Sequence, residues 1–188
     1  MNALEMLRED HDAVIGMLDK LRDGAGGAEG SMTERKRLAT ALVIAESRHE
    51  AAEERVVWPV VRRMVEGGDA LADAAIKQES DSKALLRDID AGDAGSAEFE
   101  RALAEFDVAA REHIEFEETL VWPSLRETVN GQQLAAMGNE LELARWTVPT
   151  RPHPRASAKA GVQKTLGAVA SAVDRTRDRM TGRHKDAP

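Results

Sequence analysis

The feature that most constrains the fold is a motif that occurs twice, as HEAAEERVVWP beginning at His49 and as HIEFEETLVWP beginning at His113. Each copy places a glutamate four residues after the histidine, so that Glu53 follows His49 and Glu117 follows His113. Residues four apart lie on one face of an α-helix, with Cβ atoms roughly 5–6 Å apart. The motif therefore predicts two helices, each with a histidine and a glutamate that point in the same direction.

Apolar residues recur every three or four positions over most of the chain, which is the spacing of amphipathic helices. This spacing predicts helices over about 4–21, 31–65, 69–90 and 97–128, and a shorter one from Gln132 to Trp146. Glycine-rich or polar segments separate the helices, and no segment alternates as a strand does. Pro59 and Pro123 are expected to kink or end their helices. We therefore predict an all-α fold, an up-down-up-down four-helix bundle with a short fifth helix.

The charge of the chain changes sign after Trp146. Residues 147–188 contain nine Lys and Arg against three Asp and Glu, a net of +6, which leaves −14 for residues 1–146. We therefore predict a bundle domain over 1–146, and a proline-containing linker with a basic amphipathic helical tail over 147–188. The tail helix is expected from about Ala156 to Met180. Such a tail can bind an acidic membrane or nucleic acid, but without interleaved aromatic residues packing on the bundle, on a second copy or on a protein partner is favoured.

Composition excludes several classes of site. The chain has no cysteine, which excludes thiolate metal sites, iron–sulfur clusters and cysteine nucleophiles. No stretch approaches the roughly 18 apolar residues of a membrane span. The start, MNALEMLREDHD, is acidic and does not resemble a secretory signal. We expect a cytoplasmic protein.

The two His-x-x-x-Glu pairs fall on the apolar stripes of their helices and should face the core. Buried charges are paired or coordinate metals. Aligning the two halves of the chain sets His11 of the first helix against Glu79 of the third, because apolar residues after each then match. The predicted inward set is His11, His49, Glu53, Glu79, His113 and Glu117. Six nitrogen and oxygen donors suit two first-row metal ions, with Glu53 and Glu117 as bridges, and donor type does not choose among iron, manganese and zinc.

The residues beside this set have less specific interpretations. Glu50 follows His49, but Ile114 occupies the matching place in the second copy, so the repeat does not support Glu50 as a ligand. We expect Glu50 to be a partly exposed acid next to the site and a candidate catalytic proton carrier. Glu54 and Glu118 occur in both copies; a solvated face is favoured for them, and hydrogen bonds to neighbouring loops are the alternative.

The tryptophans of the repeat and the six inward residues also have purely structural interpretations. Trp58 and Trp122 are expected to cap the core at one end of the bundle, with control of access to the site as the alternative. A buried hydrogen-bond network without metal is the purely structural interpretation of the six inward residues. It predicts a protein that is stable to chelators.

The ordered histidines and glutamates resemble the hemerythrin-like, or HHE cation-binding, family over about residues 1–130. The resemblance implies a four-helix bundle with an oxo- or hydroxo-bridged di-iron centre that interacts with dioxygen, peroxide or nitric oxide. It implies terminal ligands at His11, His49 and His113, and bridging carboxylates at Glu53 and Glu117.

The sequence departs from the family pattern in its third helix, where Glu79 stands in place of the usual histidine. The helices offer three histidines, whereas oxygen-carrying hemerythrins use five. A third carboxylate should favour ferric over ferrous iron. We therefore expect catalase-like or oxidative iron chemistry rather than reversible oxygen carriage. The alternative is a sensor or store for oxygen, nitric oxide or iron that binds without turnover.

Overall fold

The computed structural model describes residues 1–24, 29–148, 150–152, 174, 177 and 178. The helices are α1 Ala3–Asp23, α2 Glu29–Met64, α3 Gly68–Ala91, α4 Ala97–Phe116, α5 Trp122–Thr128 and α6 Gly131–Arg145, and a π-helical turn over Glu117–Val121 joins α4 to α5. These described residues contain no strand. The predicted all-α fold is therefore confirmed, while the up-and-down order of the helices stays a prediction.

The long helices surround one interior. Helix α2 packs against α1 and α3, α3 packs against α4, and α1 contacts α4, while α6 lies against α1 and α2. Local signals fix several boundaries. Asn2 and Asn130 form capping boxes with Glu5 and Gln133, and the Ser96 side chain caps α4. Each cap satisfies backbone N–H groups that the first helical turn leaves without partners.

The buried side chains form two apolar clusters with a polar layer between them. One cluster contains Trp58 and Trp122, as predicted for residues that cap one end of the core, and the other is built around Phe99 and Phe106. Along α1, His11 lies between Leu7 and Val14, one a member of each cluster. On the other long helices, members of the two clusters likewise lie on opposite sides of the polar positions. The six predicted ligands therefore occupy the layer between the clusters: His11, His49, Glu53, Glu79, His113 and Glu117.

The two prolines of the repeat have different effects on their helices. Pro59 lies inside α2, which continues to Met64. This proline was expected to kink or end its helix, and it does not end it. Pro123 follows the π-helical turn and occupies the start of α5. A proline lacks the N–H that a regular helix uses, and it is tolerated in a first helical turn.

Most of the predicted tail helix lies outside the described residues. Asp174, Arg177 and Asp178 are helical, and Asp174 and Asp178 are buried. Arg151 contacts Asp90 of α3 at 3.2 Å and Asp178 at 2.9 Å. These contacts tie the described part of the tail to the end of α3, whereas the division at residue 146 stays a prediction. Among the described residues, no helix has the length and apolar character needed to cross a membrane.

Candidate metal centre

The structure brings the six predicted ligands together in two overlapping groups. One ligand atom from each of His11, His49, Glu53 and Glu117 lies within 4.8 Å of the others, and the same holds for Glu53, Glu79 and His113. All six residues are buried, with exposed fractions of 0–8%. Glu53 belongs to both groups, which is the placement expected of a bridging carboxylate.

Glu117 belongs to the first group and also contacts His113 of the second. Its Oε2 atom is 3.2 Å from Nε2 of His11, and its Oε1 atom is 3.2 Å from Nε2 of His113. In the first half, Oε2 of Glu53 is 3.3 Å from Nε2 of His49. The two oxygens of Glu117 therefore face one histidine from each group.

These contacts do not have the geometry of hydrogen bonds. Besides Nδ1 of His49, eight atoms of the six residues are buried without a hydrogen-bond partner: Nε2 of His11, His49 and His113, Oε2 of Glu79, and both oxygens of Glu53 and Glu117. Leaving buried polar atoms unsatisfied is costly, and native proteins do so rarely. Imidazole nitrogens and carboxylate oxygens are donors for first-row metal ions. The residues therefore fit metal ions, which would satisfy these atoms together.

Each histidine turns its other nitrogen, Nδ1, to a polar side chain outside the cluster, within a hydrogen bond for His11 and His113 and as a longer contact for His49. The distances are 3.1 Å from His11 to Glu118, 3.0 Å from His113 to Gln78, and 3.5 Å from His49 to Asp10. Acceptors of this kind fix the orientation of a metal-binding imidazole and raise its basicity. Glu118, for which a solvated face was favoured, is partly exposed and also pairs with Arg8 at 2.9 Å, so it makes contacts to a neighbouring helix that the favoured expectation did not include.

Sequence reasoning did not identify these three partners of the histidine Nδ1 atoms. Asp10 and Gln78 each precede a predicted ligand by one position, and Glu118 follows one. Neighbours in sequence point in different directions on one helix. Their roles therefore depend on how adjacent helices pack, which the spacing along one helix does not show.

Glu79 is fully buried, as its predicted inward position requires. Its Oε1 atom accepts a hydrogen bond of 2.7 Å from the indole Nε1 of Trp58. Trp122, at the matching place in the second copy, instead stacks on the ring of His11, with centroids 5.1 Å apart and planes 11° apart. Both tryptophans thus contact a predicted ligand in addition to capping the core.

Residues 2–129 match the family described as the hemerythrin HHE cation-binding domain. The chain belongs to the hemerythrin HHE family. The matched range contains all six inward ligands, so the resemblance inferred from the repeated motif is confirmed, and the buried cluster is that of a metal-binding domain. No curated protein and no solved structure matched the chain.

The hemerythrin domain holds its carboxylates in two electrostatic environments when no metal is bound. Burial, together with neighbouring carboxylates, raises the pKa of Glu53 and Glu79 well above the ordinary value. Burial also opposes ionisation of Glu117, but His113 and His11 outweigh it and lower its pKa. A bound cation would replace the protons that Glu53 and Glu79 otherwise retain, because ligands must be deprotonated.

Glu50 is buried, with 3% exposed, so its expected partial exposure is wrong. It lies outside both ligand groups, and its Oε2 atom has no hydrogen-bond partner. Burial is the main cause that raises the pKa of Glu50 to about 8, against the charge of Lys83, whose Nζ is 3.8 Å away. Lys83 also bonds Glu54 at 2.6 Å, so Glu54 pairs with a neighbouring helix and not only with solvent.

Glu46 is a buried carboxylate that sequence reasoning missed. It is 7% exposed, and its charge acts on His11, His49 and His113. Glu46 precedes His49 by three positions and therefore shares its helix face. That spacing could have identified it, but Ala110 occupies the matching place in the second copy, so comparison of the halves gave no support.

Proposed function

We propose that this hemerythrin domain binds two iron ions and reacts with hydrogen peroxide or dioxygen, in catalase-like or oxidative iron chemistry. The observation that supports it is the set of eight buried ligand atoms without hydrogen-bond partners, divided between two groups that share Glu53. Bound iron would supply redox chemistry that no side chain offers. Manganese or zinc would suit the same donors, and family membership favours iron.

The proposed ligands divide between two metal positions. His11 and His49 would bind one ion, Glu79 and His113 the other, and Glu53 and Glu117 both. The support for Glu117 as a bridge is its pair of oxygens, one 3.2 Å from His11 and the other 3.2 Å from His113. An oxo or hydroxo bridge between the irons belongs to this proposal through the family.

The charge of the surroundings supports oxidative chemistry over reversible oxygen carriage. Three of the six proposed ligands are carboxylates, and a carboxylate binds a metal ion in its ionised form. Negative charge at short range in a medium of low dielectric constant stabilises the more highly charged metal ion. We therefore infer that the site favours ferric iron.

Glu50 is the residue that we propose as the proton carrier. It is buried, one of its oxygens has no hydrogen bond, and its pKa of about 8 lets it hold or release a proton near neutral pH. Lys83 and Glu54, whose side chains are 15% and 14% exposed, connect Glu50 to the surface. A proton could move between the site and solvent along these groups.

The test measures metal content and peroxide turnover together. We expect about two irons per chain, visible bands that respond to peroxide, and peroxide-dependent oxygen evolution. His113→Ala should lose metal and activity, whereas Glu115→Ala, an exposed position on the same helix, should retain both. Activity that persists in metal-depleted protein would rule out the proposal.

A sensor of oxygen, nitric oxide or iron is the second candidate function. The observation that favours it is Arg151, which contacts both Asp90 on α3 and Asp178 in the tail, because α3 also carries Glu79. A sensor predicts bands that shift with nitric oxide or oxygen without turnover. Deletion of residues 147–188 separates the two functions, since loss of partner binding with unchanged peroxide turnover favours the sensor.

A further inference from the structure

Trp58 forms a hydrogen bond with one of the predicted ligands from within the apolar core. Its indole Nε1 donates to Oε1 of Glu79 over 2.7 Å, and the two residues are 1% and 0% exposed. The other oxygen of Glu79, Oε2, is buried without a hydrogen-bond partner. The two oxygens of one carboxylate therefore have different environments, one satisfied by protein and one available.

From this asymmetry we propose that Trp58 is a positioning residue, which holds Glu79 so that a single oxygen, Oε2, binds the metal shared with Glu53 and His113. The proposal rests on the proposed metal site. It deepens that site by assigning one coordination position to Glu79 where a free carboxylate could fill two. The position left over is then available to a small molecule.

The packing of Trp58 makes it suited to this role. An indole N–H is a donor only, so the hydrogen bond cannot reverse its direction. The ring is 1% exposed and belongs to an apolar cluster that also contains Val61 and Ala75, and close packing of a buried core restricts rotation of its side chains. A ligand that is locked by packing and by an outer hydrogen bond holds its geometry more accurately than one on a flexible side chain.

Trp122 supplies the matched control, because it has the same place in the second copy without the same bond. Its Nε1 atom is buried and has no hydrogen-bond partner, and its ring stacks on His11. Replacement by Phe at either position removes a similar volume from the same apolar cluster. Only the change at Trp58 removes a hydrogen bond to a predicted ligand.

The experiment is an anaerobic titration of metal-free protein with Fe²⁺, with bound ions per chain measured at each free concentration. We expect two ions for the natural protein and for Trp122→Phe. In Trp58→Phe the second ion should bind about 10–100-fold more weakly, the range for loss of a group that orients a ligand. Site-specific replacement of Trp58 by 3-benzothienylalanine, which keeps the ring shape but has sulfur for N–H, should give the same result with less effect on packing.

A Glu79→Ala background distinguishes positioning from packing. If Trp58 acts through Glu79, the Phe variant should weaken metal binding no further in that background. An equal loss with and without Glu79, or tight binding of two ions by both Trp58 variants, would overturn the role of Trp58 and leave the metal site intact. A natural protein that binds no iron would overturn the proposed function itself.

Discussion

The two copies of the repeat have the same spacing in sequence and different geometry in the structure. In each copy a tryptophan follows the shared glutamate by five positions, Trp58 after Glu53 and Trp122 after Glu117. The first copy lies within the continuous helix α2, whereas a π-helical turn begins at Glu117 in the second. The backbone N–H of Trp122 accordingly bonds the carbonyl of Glu117, five residues earlier.

This difference shows why equal spacing does not give equal contacts. A π-helical turn contains more residues than an α-helical one, so the tryptophan that follows it points in a different direction. The contact also depends on the partner. Glu79 offers a carboxylate oxygen to the indole N–H, while His11 has its Nδ1 beside Glu118 and its Nε2 beside Glu117, and is met by ring stacking instead. The two halves are alike in donor positions and unlike in how those donors are held.

The largest effect that we predict comes from the carboxylate in the π-helical turn. Glu117→Ala should abolish binding of both metal ions, because the oxygens of Glu117 face one histidine from each group. The measurement is metal content per chain after reconstitution and removal of excess iron. Circular dichroism should show that the variant remains helical.

The control for this variant is Glu115→Ala, on the preceding helix α4 and exposed. It should bind two ions, as the natural protein does. If the Glu117 variant still bound two ions with undiminished affinity, the bridging position of this residue would be refuted. The π-helical turn would then have no role in metal binding.

The second prediction compares Glu118 with Glu54, which occupy matching places in the two copies. Glu118→Ala should weaken iron binding about 10–100-fold, because it removes the acceptor that orients His11. Glu54→Ala should have a smaller effect, since Glu54 pairs with Lys83 and not with a ligand. Equilibrium dialysis against Fe²⁺ measures both, and equal losses would contradict the assignment.

The helices and the six buried candidate ligands could be predicted from the sequence, because both depend on periodicity along one helix. The pairing of His11 with Glu79 followed from comparison of the halves, and both residues are in the buried cluster. The environment of Glu50 and Glu118 could not be predicted, since it depends on the neighbouring helix that each side chain meets. The π-helical turn was also missed, because both copies contain the same Trp-Pro signal and only one forms it.

The third prediction concerns the glycines that follow each half. A Cβ atom on Gly68 would lie 2.1 Å from the backbone oxygen of Val61, whereas one on Gly131 would meet nothing within 4 Å. Gly68→Ala should therefore lower the free energy of unfolding by about 1–3 kcal/mol through overpacking. Gly131→Ala should change it by less than about 0.5 kcal/mol, as a surface substitution does. Urea denaturation of the metal-free variants tests this prediction. Equal stability of the two variants would show that a Cβ atom is tolerated equally well at the two positions.

The last prediction tests Glu50, which stands where the second copy has Ile114. The pKa of Glu50 is raised to about 8, above its value in an unfolded chain, so the folded protein holds the proton more tightly. This contribution to stability is present in full below the unfolded pKa and is lost as pH rises through about 8.

A variant that cannot ionise removes this dependence. Glu50→Gln should match the natural metal-free protein near pH 5 and exceed its stability at pH 8, because the amide resembles the protonated acid. The slope removed is at most about 1.4 kcal/mol per pH unit. Thermal unfolding between pH 5 and 8.5 measures it. If the stability of the natural protein instead rose relative to the variant over that range, Glu50 would be ionised and stabilised by Lys83. The two halves would then differ at this position by a charge pair and not by a retained proton.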